Sequence, residues 1–298
     1  MWLIAGTVPE NGFPFYTGGI WEDSKVEGDM LVLPNGKKLP VARGATALAA
    51  TAIMASQALG KPVPRLLLVG DCGTGKGSDE AYTWLSENLP SIAEKAGLEG
   101  LTFHYFYPDL DGHNRVFMAL EDLKPKPMLV ADAGFMYVAK MSGYATSYDL
   151  FAPDIGELAF LADERAPHPF YTRGFLLAEE EDVPELLKRA RSHDNCPFNM
   201  IVKGKTDYIL CNGELYAKVS EPSVEAMECI GGTGDIVTGF ATAFLAAGYP
   251  ICKSALQAAR AARYLALFCN PNPETQAAEL IDNIGKMLRQ NMELIQKE

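Results

Sequence analysis

The feature that most restricts the fold of this chain is an alternation of short apolar runs with helix-length segments along its first two hundred residues. Residues 65–70 read as a buried strand, and a helical pattern follows over residues 79–95. Residues 101–107 are aromatic and branched, as strands prefer. Residues 127–132 and 147–152 read as further strands, each leading into a helix. Strand and helix in alternation predict an α/β fold, a central mostly parallel sheet flanked by helices on both faces.

After Asn199 the pattern changes. Residues 199–203, 208–211 and 214–218 are three short strand-like pieces. Asn212-Gly213 joins the last two and signals a type I′ hairpin, since both residue types tolerate positive φ. Antiparallel strands are therefore expected in the C-terminal half. Helical patterns complete the chain over residues 234–247, 251–269 and 273–297. With no internal repeat, low-complexity tract or linker, residues 1–298 are expected to form one domain.

Charge and cysteine usage narrow the function classes. The formal net charge of -12 argues against a nucleic-acid partner or an anionic membrane surface, which demand clustered Lys and Arg. It leaves room for a small phosphorylated ligand, because a helix N-terminus binds an anion even in an acidic protein. The most apolar stretch, residues 45–55, is too short for a membrane span and contains Thr46 and Thr51. The first residues lack the basic flank of a secretory signal. The six cysteines form no C-x-x-C pair, which suggests buried thiols and a cytoplasmic location.

The chemistry concentrates in Ile230-Gly231-Gly232-Thr233-Gly234-Asp235 and the small-residue helix that follows. Three glycines in four positions leave successive N–H groups clear of side chains. The first N–H groups of the helix have no intrahelical partners, and its dipole adds partial positive charge. Together they would cradle a transferring phosphoryl group, with Asp235 as the base for an attacking hydroxyl. The competing reading is a glycine-rich loop with an aspartate favoured in a first helical turn. Gly239, Ala241, Ala243, Ala246 and Ala247 permit close packing beneath the loop.

Residues 231–248 resemble the C-terminal signature of the NAD(P)H-hydrate dehydratase family, within the ribokinase-like superfamily. Three more segments agree in order. Ala152-Pro153-Asp154-Ile155-Gly156-Glu157 resembles T-P-H-x-G-E, with Asp154 where histidine is usual. Residues 201–209 resemble V-x-K-G-x-x-T-x-I, one residue shorter before Thr206, and Val130-Ala131-Asp132-Ala133 resembles D-A-D-A. The resemblance implies a ribokinase-like fold, Asp235 as catalytic base, and Gly231, Gly232, Thr233 and Gly234 as the anion hole. It implies Lys203, Gly204 and Thr206 near the nucleotide, Asp132, Asp154, Gly73 and Gly75 at the substrate, and Glu157 near Mg²⁺, a hard cation suited to carboxylates. The implied reaction uses ATP or ADP with Mg²⁺ to phosphorylate the hydroxyl of hydrated NADH or NADPH and then eliminates phosphate. Other members of the superfamily are kinases of small hydroxylated metabolites, which stop at the phosphorylated product. Self-association is common among them, so a homo-oligomer stays open.

Residues 222–229, with two acids and no glycine, depart from the G-N-P-G-M-A-T loop of the dehydratase family, and the early K-G-x-x-G segment has no counterpart. A third reading is therefore a catalytically weak nucleotide-binding protein. A fourth comes from residues 70–77, where the spacing of a P-loop, G-x-x-x-x-G-K, is present but Gly77 replaces the Mg²⁺-binding hydroxyl. Asp132 would then be its Walker B acid. The four histidines, His104, His113, His168 and His193, are far apart and suggest no metal site. The acidic run 179–182 reads as a solvated helix start, and Cys229 as a packing thiol.

Overall fold

A computed structural model describes residues 1–10, 12–13, 19–165 and 182–297. His168 and residues 179–181 of the acidic run lie outside the described residues. The main sheet has eight strands in the order β11-β10-β9-β8-β7-β6-β1-β5. These are β1 (Trp2–Val8), β5 (Arg65–Gly70), β6 (Gly100–His104), β7 (Met128–Asp132), β8 (Leu150–Phe151), β9 (Met200–Val202), β10 (Asp207–Cys211) and β11 (Glu214–Val219). All neighbours from β5 to β9 pair in parallel; β10 and β11 run antiparallel.

Period-two alternation divides two cores across this sheet. Trp2 and Ile4 of β1 and Leu66 and Leu68 of β5 face one cluster; Leu3, Ala5, Leu67 and Val69 face the other. The first cluster is covered by α1 (Ala45–Ala58), α7 (Thr233–Ala246), α8 (Ile251–Cys269), α9 (Ala277–Asp282) and α10 (Ile284–Gln296). The second is covered by α2 (Lys76–Ala96), α3 (Leu110–Glu121), α4 (Gly134–Met141), α5 (Ile155–Ala162) and α6 (Val183–Ser192). This is the α/β arrangement expected from the sequence. Among the described residues, no helix is long and apolar enough to cross a membrane.

Several elements differ from expectation. Not expected from the sequence are β1 and a small antiparallel sheet of β2 (Lys25–Glu27), β3 (Met30–Val32) and β4 (Lys38–Pro40). The strand expected over 101–107 stops at His104, because Tyr105 takes a left-handed φ of 56° and breaks the extended run. The strand expected over 147–152 shrinks to two residues behind a 3-10 turn, Ala145–Ser147. The last helix divides at Asn283, which ends α9 and caps α10. The Asn212-Gly213 hairpin is as read, with φ of 51° and 84°. The cysteines are not all thiols: Cys211 at the end of β10 is disulfide-bonded to Cys252 in the first turn of α8. Cys229 is an exposed thiol rather than a packed one.

Candidate active site

The parallel strands present their carboxyl ends on one edge, where open α/β sheets place ligands at the point of strand-order reversal. Here that point lies between β1 and β6, since the chain passes from β1 to β5 on one side and returns to β6 on the other. His104 ends β6, Asp132 ends β7, and Lys203 follows β9. Asp154 caps α5, and Gly232 caps α7 in a left-handed conformation with φ 94°.

Gly232 has no alternative at this spot. A Cβ there would lie 2.6 Å from the Ala42 carbonyl oxygen, so the loop presses against the backbone that enters α1. Deeper in α7, a Cβ on Gly239 would lie 2.6 Å from Thr51 Cβ and 2.7 Å from the Leu48 carbonyl of α1. The small residues read from the sequence thus let α1 and α7 meet closely. The N–H groups of residues 231–235 have no acceptor among the described residues. Gly231 is exposed beside the Arg43 side chain; Thr233, Gly234 and Asp235 line a cavity of about 530 Å³.

Asp235 is pinned from two sides. His104 Nε2 lies 2.8 Å from its Oδ1, and the Gly44 N–H donates to its Oδ2 at 2.6 Å. Its side chain keeps 15% exposure, whereas His104 keeps 1%. Burial alone would raise the Asp235 pKa. The His104 hydrogen bond, Lys203 and the Gly44 N–H outweigh it and hold the carboxyl below the usual range. Among the described residues, His104 Nδ1 has no hydrogen-bond partner. The ring therefore meets Asp235 through Nε2 alone.

A second layer supports this pair. Asp132 Oδ1 accepts from Lys203 Nζ and from the Ala133 N–H, both at 2.8 Å, and its Oδ2 accepts from Thr238 Oγ1 at 2.5 Å. Burial works against a charged Lys203, but Asp132 and Glu157 prevail and raise its pKa. Its ammonium would lie 3.6 Å from a Cβ on Gly234, close beneath the open amides. His104, Asp132 and Asp235 are near enough to share a metal ion. Their carboxylate oxygens already accept hydrogen bonds, so they form a closed network instead.

Asp154 and Glu157 form a capping box at α5: Asp154 Oδ1 accepts from the Glu157 N–H at 2.7 Å, and Glu157 Oε2 accepts from the Asp154 N–H at 2.8 Å. Tyr137 donates its hydroxyl to Glu157 Oε1 at 3.2 Å. Burial and the Asp154 carboxylate push Glu157 up to about 8. Among the described residues, Asp154 Oδ2 is the one oxygen of this pair that accepts no hydrogen bond, which leaves it to a hard cation such as Mg²⁺ in the cavity that Thr233, Gly234 and Asp235 also line.

The two sides of the cleft meet at Tyr105, Ala133 and Glu157, which also line a second cavity of about 610 Å³. That cavity contains Arg43 and Gly44, the loop that Asp235 holds. Asp235 therefore stands between the two spaces.

The remaining expected site residues separate. Gly204 lines the first cavity; its turn is fixed by Arg263, which donates to the Gly204, Lys205 and Ser220 carbonyls and to Asp207 Oδ2. Thr206 does not line it; its neighbours Lys205 and Asp207 do. Residues 222–225, 227 and 228 do line it, Glu225 and Glu228 among them. Asp132, expected at the substrate, is committed to Lys203 and Thr238. Gly73 lines the second cavity, but Gly75 does not: a Cβ there would meet the Tyr107 ring at 3.0 Å, so it serves packing.

The P-loop reading is overturned. Asp71 Oδ1 accepts from the N–H groups of Gly73, Thr74 and Gly75, and Oδ2 accepts from the Ser78 N–H and hydroxyl. The amides that would cradle phosphate are filled by the protein's own carboxylate. Gly77 replaces the hydroxyl residue because a Cβ would collide with the Gly70 carbonyl at 2.1 Å. His104 and the Arg43–Gly44 turn were not found from sequence. They lie 131 and 191 residues from Asp235, with no local pattern to join them.

No family model matches the chain. It is 34% identical over 229 residues to the uncharacterized protein MJ1337 of Methanocaldococcus jannaschii, covering 76% of this chain and 92% of that protein. A ribokinase-like superfamily protein from Enterococcus faecalis V583 superposes with a TM-score of 0.58 at 13% identity, over 97% of this chain and 86% of that one. Phosphofructokinase-2 from Escherichia coli, in complex with fructose-6-phosphate, gives 0.53 at 13% identity over 97% and 99%. Pyridoxal kinase from Lactobacillus plantarum gives 0.54 at 16% identity over 97% of each chain. Sequence and fold together make this chain a member of the MJ1337 family, built on the ribokinase-like fold.

Proposed function

We propose that the protein is a kinase, moving the terminal phosphoryl group of ATP or ADP to the hydroxyl of a small metabolite. The observation that carries this reading is the position of Asp235: pinned, charged, at the head of open amides and between two cavities. The nucleotide would enter the first cavity, with its phosphates toward residues 231–235 and Lys203. The acceptor would occupy the second. Asp235 takes the hydroxyl proton as the acceptor oxygen bonds to phosphorus and the bridging oxygen departs with the nucleotide. Arg43, which makes no ion pair among the described residues, lies beside Gly231 and would neutralise charge on the moving group. Mg²⁺ held by Glu157 and Asp154 would supply further charge neutralisation at the phosphates.

A kinase is favoured over the NAD(P)H-hydrate dehydratase reading because kinases recur among proteins of similar fold, and residues 222–229 replace that family's glycine loop with acids. The test is turnover of ATP or ADP with a metabolite panel, followed by mass spectrometry. A stable phosphorylated product, lost in Asp235→Asn and retained in Lys76→Ala, supports the proposal. Restored NADH absorbance from hydrated NADH with phosphate release would select the dehydratase. Nucleotide-induced thermal stabilisation without any turnover would select a binding protein.

A further inference from the structure

The second cavity carries information about the acceptor. Most polar side chains in its wall are already committed. Thr7 donates its hydroxyl to the Tyr105 carbonyl, and Thr46 donates to the Arg43 carbonyl at 3.2 Å. The Asp71 oxygens serve their own loop, and the Glu157 oxygens serve Asp154 and Tyr137. Among the described residues that line it, none is Asn or Gln. A sugar carries several hydroxyls, each donor and acceptor, and each would need a partner when buried. Left over in this wall are the Arg43 guanidinium, which donates but cannot accept, and the Tyr105 and Tyr107 hydroxyls, too few for the several hydroxyls of a sugar.

It offers aromatic faces instead. Tyr105 and Tyr107 are 56% and 51% exposed, although both line a concave cavity. Large apolar rings left uncovered in a cavity are surfaces that a ligand covers. Tyr105 is held there at a φ of 56°, a backbone state unusual for an aromatic residue, which stores strain where the two cavities join. Tyr107 is backed by Gly75, whose missing side chain leaves room for the ring. The glycine expected at the substrate thus acts through a tyrosine.

We propose that the acceptor is a planar aromatic or heteroaromatic molecule carrying a hydroxyl, its ring stacked on Tyr105 and Tyr107 and its hydroxyl directed to Asp235. This deepens the kinase reading and rests on it for the role of the hydroxyl; the ring site itself stands on the cavity alone.

The test separates the two. Binding is measured by tyrosine fluorescence and calorimetry, without nucleotide, using hydroxymethyl-pyridines, hydroxymethyl-pyrimidines and hydroxyethyl-thiazole as aromatic probes. Ribose, fructose and glycerol are the aliphatic probes. The expected result is saturable binding of at least one aromatic probe, with quenched fluorescence. It should weaken roughly tenfold or more in Tyr105→Leu and in Tyr107→Leu, and persist in Tyr105→Phe, which keeps the ring. Circular dichroism checks the fold of each variant. Binding of sugars and no aromatic probe, or aromatic binding unchanged in both leucine variants, overturns the inference and leaves the kinase reading intact. Ring binding with no phosphorylation of any bound probe sustains the inference and counts against the kinase.

Discussion

Replacing His104 with leucine removes one of the two donors that pin Asp235 and leaves Gly44 as the other. The lost bond is short, buried and made to a charged group, a class worth about 1.5–3 kcal/mol. Without that donor the Asp235 pKa should rise, because burial is then opposed only by Lys203 and the Gly44 N–H. The sign follows from the native state. The Asp235 carboxyl is held below its ordinary value, so its contribution to stability is complete above that value and is lost as pH falls through the lowered one. In the leucine variant the acid limb of kcat/KM moves to higher pH, and kcat falls about tenfold to hundredfold as the carboxylate loses orientation. The other groups facing Asp235 stay in place: Asp132 from β7, and Lys203 after β9. Glutamine is the conservative replacement, because its amide can reach a similar point and donate N–H. The assay is a pH–rate profile, paired with a ¹³C-carboxyl titration of Asp235 identified by difference from Asp235→Asn. An unmoved carboxyl titration in folded His104→Leu would refute the reasoning, as would equal losses in the leucine and glutamine variants.

Gly239→Ala forces a methyl group into the contact of α7 with Thr51 and Leu48, and should cost about 1–3 kcal/mol in urea titrations while lowering turnover. Replacing Cys211 and Cys252 with serine opens a link across 41 residues; the loop-entropy relation sets the loss at up to about 4 kcal/mol, measured against the oxidised parent. His113 sits between Tyr148 and Ser142, and burial lowers its pKa to about 4. Its neutral form supports the fold fully above pH 6.5, and up to about 3 kcal/mol is lost as pH falls toward 4. Urea stability measured between those pH values should flatten in His113→Gln.

The legible part of the fold was the part whose burial writes itself into sequence. Strands β5 and β7 are covered on both faces, so their residues form unbroken apolar runs, and their limits were read to within a residue. Strands β2 to β4 have three residues each and little periodicity to detect. The break after β6 depends on one tyrosine in a left-handed conformation, which no propensity announces. The same division holds at the site. Residues 231–235 were legible because amides, cap and carboxylate are consecutive. The partners that fix Asp235 belong to β6 and to the entrance of α1, and only tertiary packing brings them near. Residues 70–77 misled for a related reason: a loop that looks ready for phosphate was already satisfied by Asp71, and hydrogen-bond partners are invisible in a motif.

The seam between α1 and α7 has a further bearing. Asp235 stands at the head of one helix, and the Gly44 amide it grips stands at the head of the other. The grip on Asp235 is therefore set by how tightly two rods abut along their shafts. A substitution several turns from any ligand, harmless to chemistry on its face, would loosen that grip. Searches for sturdier variants should treat this seam as part of the machinery rather than as filler.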